Sequence, residues 1–212
     1  MDQVVLHLEG DYSRISATLC SHCPRGPAGC CTEPPSYWPS DIALLILAGQ
    51  GDWLLEQVRR GNLVPRGGDS AELQPVTRNG ACTYWQSGRG CVLPPGRRPP
   101  YCNHYICGEA LEGLGLTRGL AQLVGDVGLD PIRALREYYW QRRHWLSHQI
   151  AAEMQRRGEW PLRWDPPKRA RRRLEELARV ARPLLATCLV PRGMRVTYAA
   201  FDQEGAQRGS GE

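Results

Sequence analysis

Apolar residues recur at helical spacing in two short stretches of the first third of the chain. Ser40 is an N-cap candidate for a helix over residues 41–48, where Ile42, Leu45 and Ile46 share one face. Asp52 can cap a second helix that runs to Val58 and ends at Gly61. Because the two stretches are nearly adjacent, the pattern predicts a helical hairpin.

Two longer apolar stripes predict a pair of helices in the second half. The first helix covers residues 131–157, begins after Asp130 with a first-turn proline, and ends at Gly158. Its stripe is Ile132, Leu135, Tyr139, Leu146 and Ile150, and Arg133, Arg136, Arg142 and Arg143 lie off it. The second stripe is Ala170, Leu174, Leu177, Ala181 and Leu184, which Cys188 continues as a buried small apolar residue. We expect these two helices to pack together.

Alternating patterns are confined to the ends of the chain. Residues 4–8 and 194–198 each read as a short strand, and the two could pair. Residues 62–110 are rich in Pro and Gly and show little periodicity, which predicts loops. The expected fold is therefore mainly α, a helical scaffold with two cysteine-rich, metal-ordered loops and a two-stranded sheet from the termini. The expected regions are 1–110, cysteine-rich with the helical hairpin; 111–200, helical and packed on it; and 201–212, a flexible tail.

Eight cysteines fall into two groups of four. The first group is Cys20, Cys23, Cys30 and Cys31, and the second is Cys82, Cys91, Cys102 and Cys107. Sets of four thiolates are typical of zinc and iron-sulfur sites. Disulfides are the alternative, but residues 1–11 carry acids and lack the basic and apolar segments of a signal peptide. We therefore expect a cytoplasmic protein whose reduced thiols bind metal, with no membrane association.

The order of these motifs resembles the CxxCxxCC proteins, the YkgJ-type family described as zinc- or iron-chelating. The resemblance covers about residues 16–110. It rests on Cys20-Ser-His-Cys23, Cys30-Cys31, Pro39-Ser-Asp-Ile42, Cys82-x2-Trp85, Gly90-Cys91, Arg98-Pro99-x2-Cys102 and Tyr105-x-Cys107. Residues 24–29 make the gap before the double cysteine longer than is usual in the family. The resemblance implies a metal site and no particular activity.

The spacing leaves two metals open. Adjacent side chains such as those of Cys30 and Cys31 point apart, which suits a single tetrahedral zinc ion less well than a larger cluster. A [4Fe-4S] cluster is therefore the first expectation, with ligands drawn from one group or both, and Zn²⁺ is the second.

Other residues are weaker candidates. His22 and His104 lie within the cysteine groups and could replace a thiolate at the metal. His144 and His148 share a helical face but lack the glutamate of the H-E-x-x-H motif. Residues 169–182 are rich in arginine but include glutamates at ion-pair spacing, which favours a solvated face. The glycines of residues 113–128 do not have the spacing of a phosphate loop.

These observations favour a metal-binding protein with a structural, redox or sensing role. The alternative is a metal-dependent enzyme acting on a protein side chain, because the flagellin lysine methylases contain a similar cysteine domain. The sequence supplies no nucleophile-base pair or cofactor loop for that alternative. A net charge of +5, with 22 acids against 27 basic residues, is a weak signal for nucleic acid. A protein partner is compatible with these interpretations, and the sequence does not identify one.

Overall fold

A computed structural model describes most of the chain: residues 3–18, 20, 29–66, 71–105, 107, 131–160, 162, 164, 167–190 and 192–199. The helices are α1 (Pro39–Leu47), α2 (Gly51–Arg59), α3 (Pro100–His104), α4 (Pro131–Arg156) and α5 (Pro167–Leu185). The strands are β1 (Gln3–Glu9), β2 (Arg14–Ala17), β3 (Leu63–Pro65), β4 (Leu73–Pro75), β5 (Thr77–Arg78), β6 (Ala81–Cys82), β7 (Trp85–Gln86), β8 (Gly90–Cys91) and β9 (Arg192–Ala199).

The fold is mixed α/β, so the prediction of a mainly α protein is wrong. The error comes from residues 62–110, which were expected to form loops. The described part of this segment instead forms three antiparallel strand pairs, β3–β4, β5–β6 and β7–β8, followed by α3. These strands contain two or three residues each, too few to show the alternation by which a strand is recognised.

A three-stranded antiparallel sheet joins the two ends of the described chain. β1 is its central strand, and β2 and β9 are its edges. The predicted pairing of the terminal strands is present, with Val4 opposite Tyr198 and Leu8 opposite Met194. The sequence analysis missed β2, which follows β1 after a turn at Gly10, where φ is +58°. The sheet therefore has one strand more than expected.

The four longer helices lie close to the predicted ones. α1 packs on α4 and α5, and α2 packs on α5. Ile42, Ile150 and Leu177 are fully buried in one hydrophobic cluster that draws on both halves of the chain. The side chains of Ile132 and Leu135 lie outside the described residues. No helix in the described part of the chain is long and apolar enough to cross a membrane.

Three details of the helix predictions are wrong. The residue before α1 is Trp38 rather than Ser40, whose hydroxyl instead contacts Ser147 of α4 at 2.9 Å. α5 ends at Leu185, and Cys188 lies beyond it, half-buried and 3.7 Å from the Tyr138 hydroxyl. Arg143, placed off the apolar stripe, is buried with only 7% of its surface exposed.

Two buried ion pairs tie α4 to α1 and to the turn between β1 and β2. Arg143 Nε donates to Asp41 Oδ2 at 2.7 Å, and its guanidinium also donates to the Ser36 carbonyl at 2.6 Å. Arg142 donates to both carboxylate oxygens of Asp11, at 2.6 and 2.9 Å. The two arginines thus fix the position of α4 through charge-assisted hydrogen bonds with little access to water.

Candidate metal centre

Three of the four cysteines of the second group lie in regular structure rather than in loops. Cys82 ends β6, Cys91 ends β8, and Cys102 lies within α3. Cys107 follows three residues after α3 and is half-buried. The hairpin β5–β6 turns at Asn79 and Gly80, which both have positive φ, as a two-residue hairpin loop of the primed type requires.

Part of the first cysteine group lies outside the described residues. His22 and Cys23 fall there, as does the side chain of Cys30. Cys20 is exposed, and Cys31 is half-buried in a 3-10 turn over Gly29–Thr32. That turn packs against β6, which carries Cys82.

A close backbone contact brings Cys20 to the second group. A Cβ atom added at Gly90 would lie 3.1 Å from the carbonyl oxygen of Cys20. Gly90 has a φ of +70° and directly precedes Cys91. The absence of a side chain at position 90 therefore allows the two cysteine segments to approach each other.

Tyr37 lies near three cysteines of the second group. Its side chain is fully buried, and its hydroxyl donates to the Arg97 carbonyl at 2.7 Å. Burial raises its pKa well above the usual value, and the nearby Tyr84, Cys102, Cys91 and Cys82 raise it further. Three thiols of the second group are thus close enough to act electrostatically on one phenol.

Cys91 also acts electrostatically on Cys82. Burial raises the pKa of the Cys82 thiol, a backbone hydrogen bond from Tyr84 lowers it, and the charge of Cys91 raises it. The Tyr84 hydroxyl donates to the Gln57 amide oxygen of α2 at 3.1 Å, which anchors the segment to the helical core. A cation between the two sulfurs would offset their repulsion and the cost of burying a thiolate.

Arg98 fixes the backbone between Cys91 and Cys102. Its guanidinium donates to the Leu93 carbonyl at 2.8 Å and to the Cys91 carbonyl at 3.2 Å. Pro99 then precedes α3, and the N–H of Cys102 donates to its carbonyl at 2.8 Å. This arrangement gives the Arg98-Pro99-x2-Cys102 motif a structural role, since it sets the position of Cys102 relative to Cys91.

His104, a candidate ligand, has a different partner in the structure. Its Nε2 atom is 2.8 Å from the Ser13 carbonyl, and its ring stacks on Tyr139 with centroids 3.8 Å apart. Burial lowers the pKa of His104 to about 4. The imidazole is therefore neutral near pH 7, with Nε2–H as the donor, and it joins α3 to α4 and to the terminal sheet.

Asn103, beside His104, has one polar atom without a hydrogen-bond partner in the described part of the chain. Its amide nitrogen donates to the Pro95 carbonyl at 2.9 Å, whereas its Oδ1 atom is buried and unsatisfied. An unsatisfied buried acceptor next to Cys102 is unusual in a folded protein.

The donor chemistry fits a soft metal, but the geometry is incomplete. Among the described residues, no group of three or more His, Cys, Asp or Glu side chains is close enough to hold a metal ion. Cys23 and the Cys30 side chain lie outside that part of the chain. The candidate ligands in the described region are Cys82, Cys91 and Cys102, and the 3-10 turn that contains Cys31 packs against β6.

Replacing Gly90 by alanine tests the contact between the two segments. We expect Gly90→Ala to lower the unfolding free energy by about 1–2 kcal/mol, because alanine is strained in the left-handed backbone conformation of this position. The crowding at the Cys20 carbonyl should add roughly 1–3 kcal/mol. Gly88→Ala is the matched control, because Gly88 has a φ of +72° and nothing within 4 Å of an added Cβ. Equal losses in urea unfolding for the two variants would show that the Cys20 contact contributes nothing.

The lowered pKa of His104 predicts that the protein loses stability in acid. Its folded-state pKa of about 4 lies below the ordinary value of 6.5, so the unfolded chain binds a proton between these values and the folded protein does not. The stabilisation is complete above pH 6.5 and falls by about 3 kcal/mol as the pH drops to 4. A His104→Phe variant keeps the ring stacking but cannot titrate, so its unfolding free energy should fall less over this interval. Parallel pH profiles for the two proteins would contradict the prediction.

Comparison with known proteins adds no relative. No protein-family model, no curated protein and no solved structure matches this chain.

Proposed function

We propose that this chain is a cytoplasmic metal-binding protein of the YkgJ type, in which cysteine thiolates hold a [4Fe-4S] cluster or, as the second candidate, Zn²⁺. The observation that carries the proposal is that Cys82, Cys91 and Cys102 all lie near enough to Tyr37 to act electrostatically on its hydroxyl. The contact of Gly90 with the Cys20 carbonyl supports the participation of the first group. The motif order that resembles the YkgJ family supports the same ligand set of eight cysteines.

The surroundings of these thiols suit a metal bound in a partly buried site. Cys82, Cys91 and Cys102 are half-buried, so bound metal would be shielded but still near the surface. A cluster at this position would accept or release one electron, whereas zinc would serve to hold the hairpins together. Arg98, Tyr37 and Tyr84 would hold the backbone around the metal in either case.

A metal analysis of protein purified without oxygen tests the proposal. A brown protein with about four iron and four sulfide per chain would support the cluster. A colourless protein with stoichiometric zinc would support the second candidate. Protein that folds, stays soluble and contains neither metal would overturn the proposal, and this outcome is read directly from elemental analysis and the visible spectrum.

A further inference from the structure

Two histidines lie side by side on the exposed face of α4, away from the cysteines. His144 and His148 are one helical turn apart, and their Nε2 atoms are separated by 3.3 Å. Their rings have centroids 4.4 Å apart, and both side chains are exposed. The two nitrogens that could bind a ligand therefore face each other.

This separation matches the spacing of two ligands on one metal ion. With Zn–N bonds near 2.0–2.1 Å and a tetrahedral angle, two ligating nitrogens are about 3.3–3.4 Å apart. Neutral imidazole is a ligand for zinc, copper and nickel alike.

The helix beneath the pair is held firmly, which limits the entropy lost on binding. Trp38 meets the His144 ring edge-on with centroids 5.8 Å apart, and the Arg143 guanidinium lies 4.1 Å from the centroid of a Trp38 ring. Between the two histidines in sequence, Ser147 is buried and bonded to Ser40 of α1. The backbone that positions both imidazoles is thus fixed by the core.

We propose that His144 and His148 form a second metal site, which binds one first-row divalent transition-metal ion through both Nε2 atoms. The N–H proton of each imidazole then resides on its Nδ1 atom. The remaining coordination positions of the ion are open to water or to a donor atom from another molecule. The site uses no cysteine, so it stands independently of the function proposed above.

Nickel titration of the protein with its cysteine-bound metal retained tests the site. The control is a double variant, His148→Gln with Gln149→His, which preserves composition but moves one imidazole off the shared helical face. Gln149 is exposed, so the exchange should leave the melting temperature unchanged. Because the cysteines are the same in both proteins, any difference in calorimetric binding reports the histidine pair alone.

We expect one additional equivalent of Ni²⁺ to bind the unaltered protein. A second imidazole held beside the first acts at a local concentration in the millimolar range or above, so the exchange should weaken this binding by about tenfold or more. The single variant His144→Gln should behave like the exchanged protein. Identical titrations of all three proteins would overturn the proposal and leave the short Nε2–Nε2 distance as a hydrogen bond between imidazoles.

Discussion

Replacing Asp41 by asparagine should lower the unfolding free energy by about 3–5 kcal/mol, because it leaves the buried guanidinium of Arg143 without its counter-ion. Only 1% of the surface of Asp41 is exposed, and its carboxylate also accepts the backbone N–H of Trp38 at 2.8 Å. The neutral amide keeps the shape of the side chain but removes the charge. Urea unfolding at neutral pH measures the loss.

An exposed carboxylate provides the matched control for Asp41. Glu56 of α2 accepts from Arg59 and Arg60, and those hydrogen bonds lower its pKa to about 2. Water and salt screen this arrangement, so Glu56→Gln should change stability little. A small loss in Asp41→Asn, similar to that of Glu56→Gln, would show that the buried pair does not stabilise the fold.

The burial of Arg143 could not be predicted from the helical periodicity of α4. The apolar stripe of α4 correctly predicted that Tyr139, Leu146 and Ile150 are buried. Arg143 was assigned to the polar side because an arginine is seldom buried unless it is paired. Its partner, Asp41, is 102 positions away along the chain, and a single sequence carries no signal for that contact.

The hairpins around the cysteines were missed for a different reason, although one signal was available. Asn79-Gly80 is a strong sequence marker of a two-residue hairpin, and Thr77 pairs with Cys82 across it. Each flanking strand has only two residues, so the alternation that normally supports such a marker was absent. The longer helices were predicted well because nine or more residues repeat the helical period.

The surroundings of the candidate site could not be predicted from the sequence. The cysteine order places Cys82, Cys91, Cys102 and Cys107 in one group, and in the structure the first three of them act electrostatically on the phenol of Tyr37. Neither the proximity of Tyr37 to these thiols nor the contact of Gly90 with Cys20 follows from the sequence. Both depend on residues far apart along the chain that meet only after folding.

Replacing Cys82 by serine should remove the metal and much of the folding free energy together. Binding energy at a structural metal site is folding energy, about 10–16 kcal/mol for zinc in small zinc-dependent peptides at pH 7. Loss of one of these thiolates is therefore expected to lower the unfolding free energy by several kcal/mol, which is more than the roughly 0.5–3 kcal/mol that an ordinary substitution costs. Metal content and the melting temperature, measured on anaerobically purified protein, give the two readouts.

Cys188→Ser is the control for this experiment because Cys188 is also half-buried but belongs to neither cysteine group. Its neighbour is the Tyr138 hydroxyl, which a serine can still contact. The control should keep both metal and melting temperature. If Cys82→Ser lost its metal while its melting temperature stayed the same, the metal would contribute little to stability, and a redox or sensing role would follow. If the variant kept its metal, Cys82 would not be a required ligand, and the thiols around Tyr37 would no longer define the site.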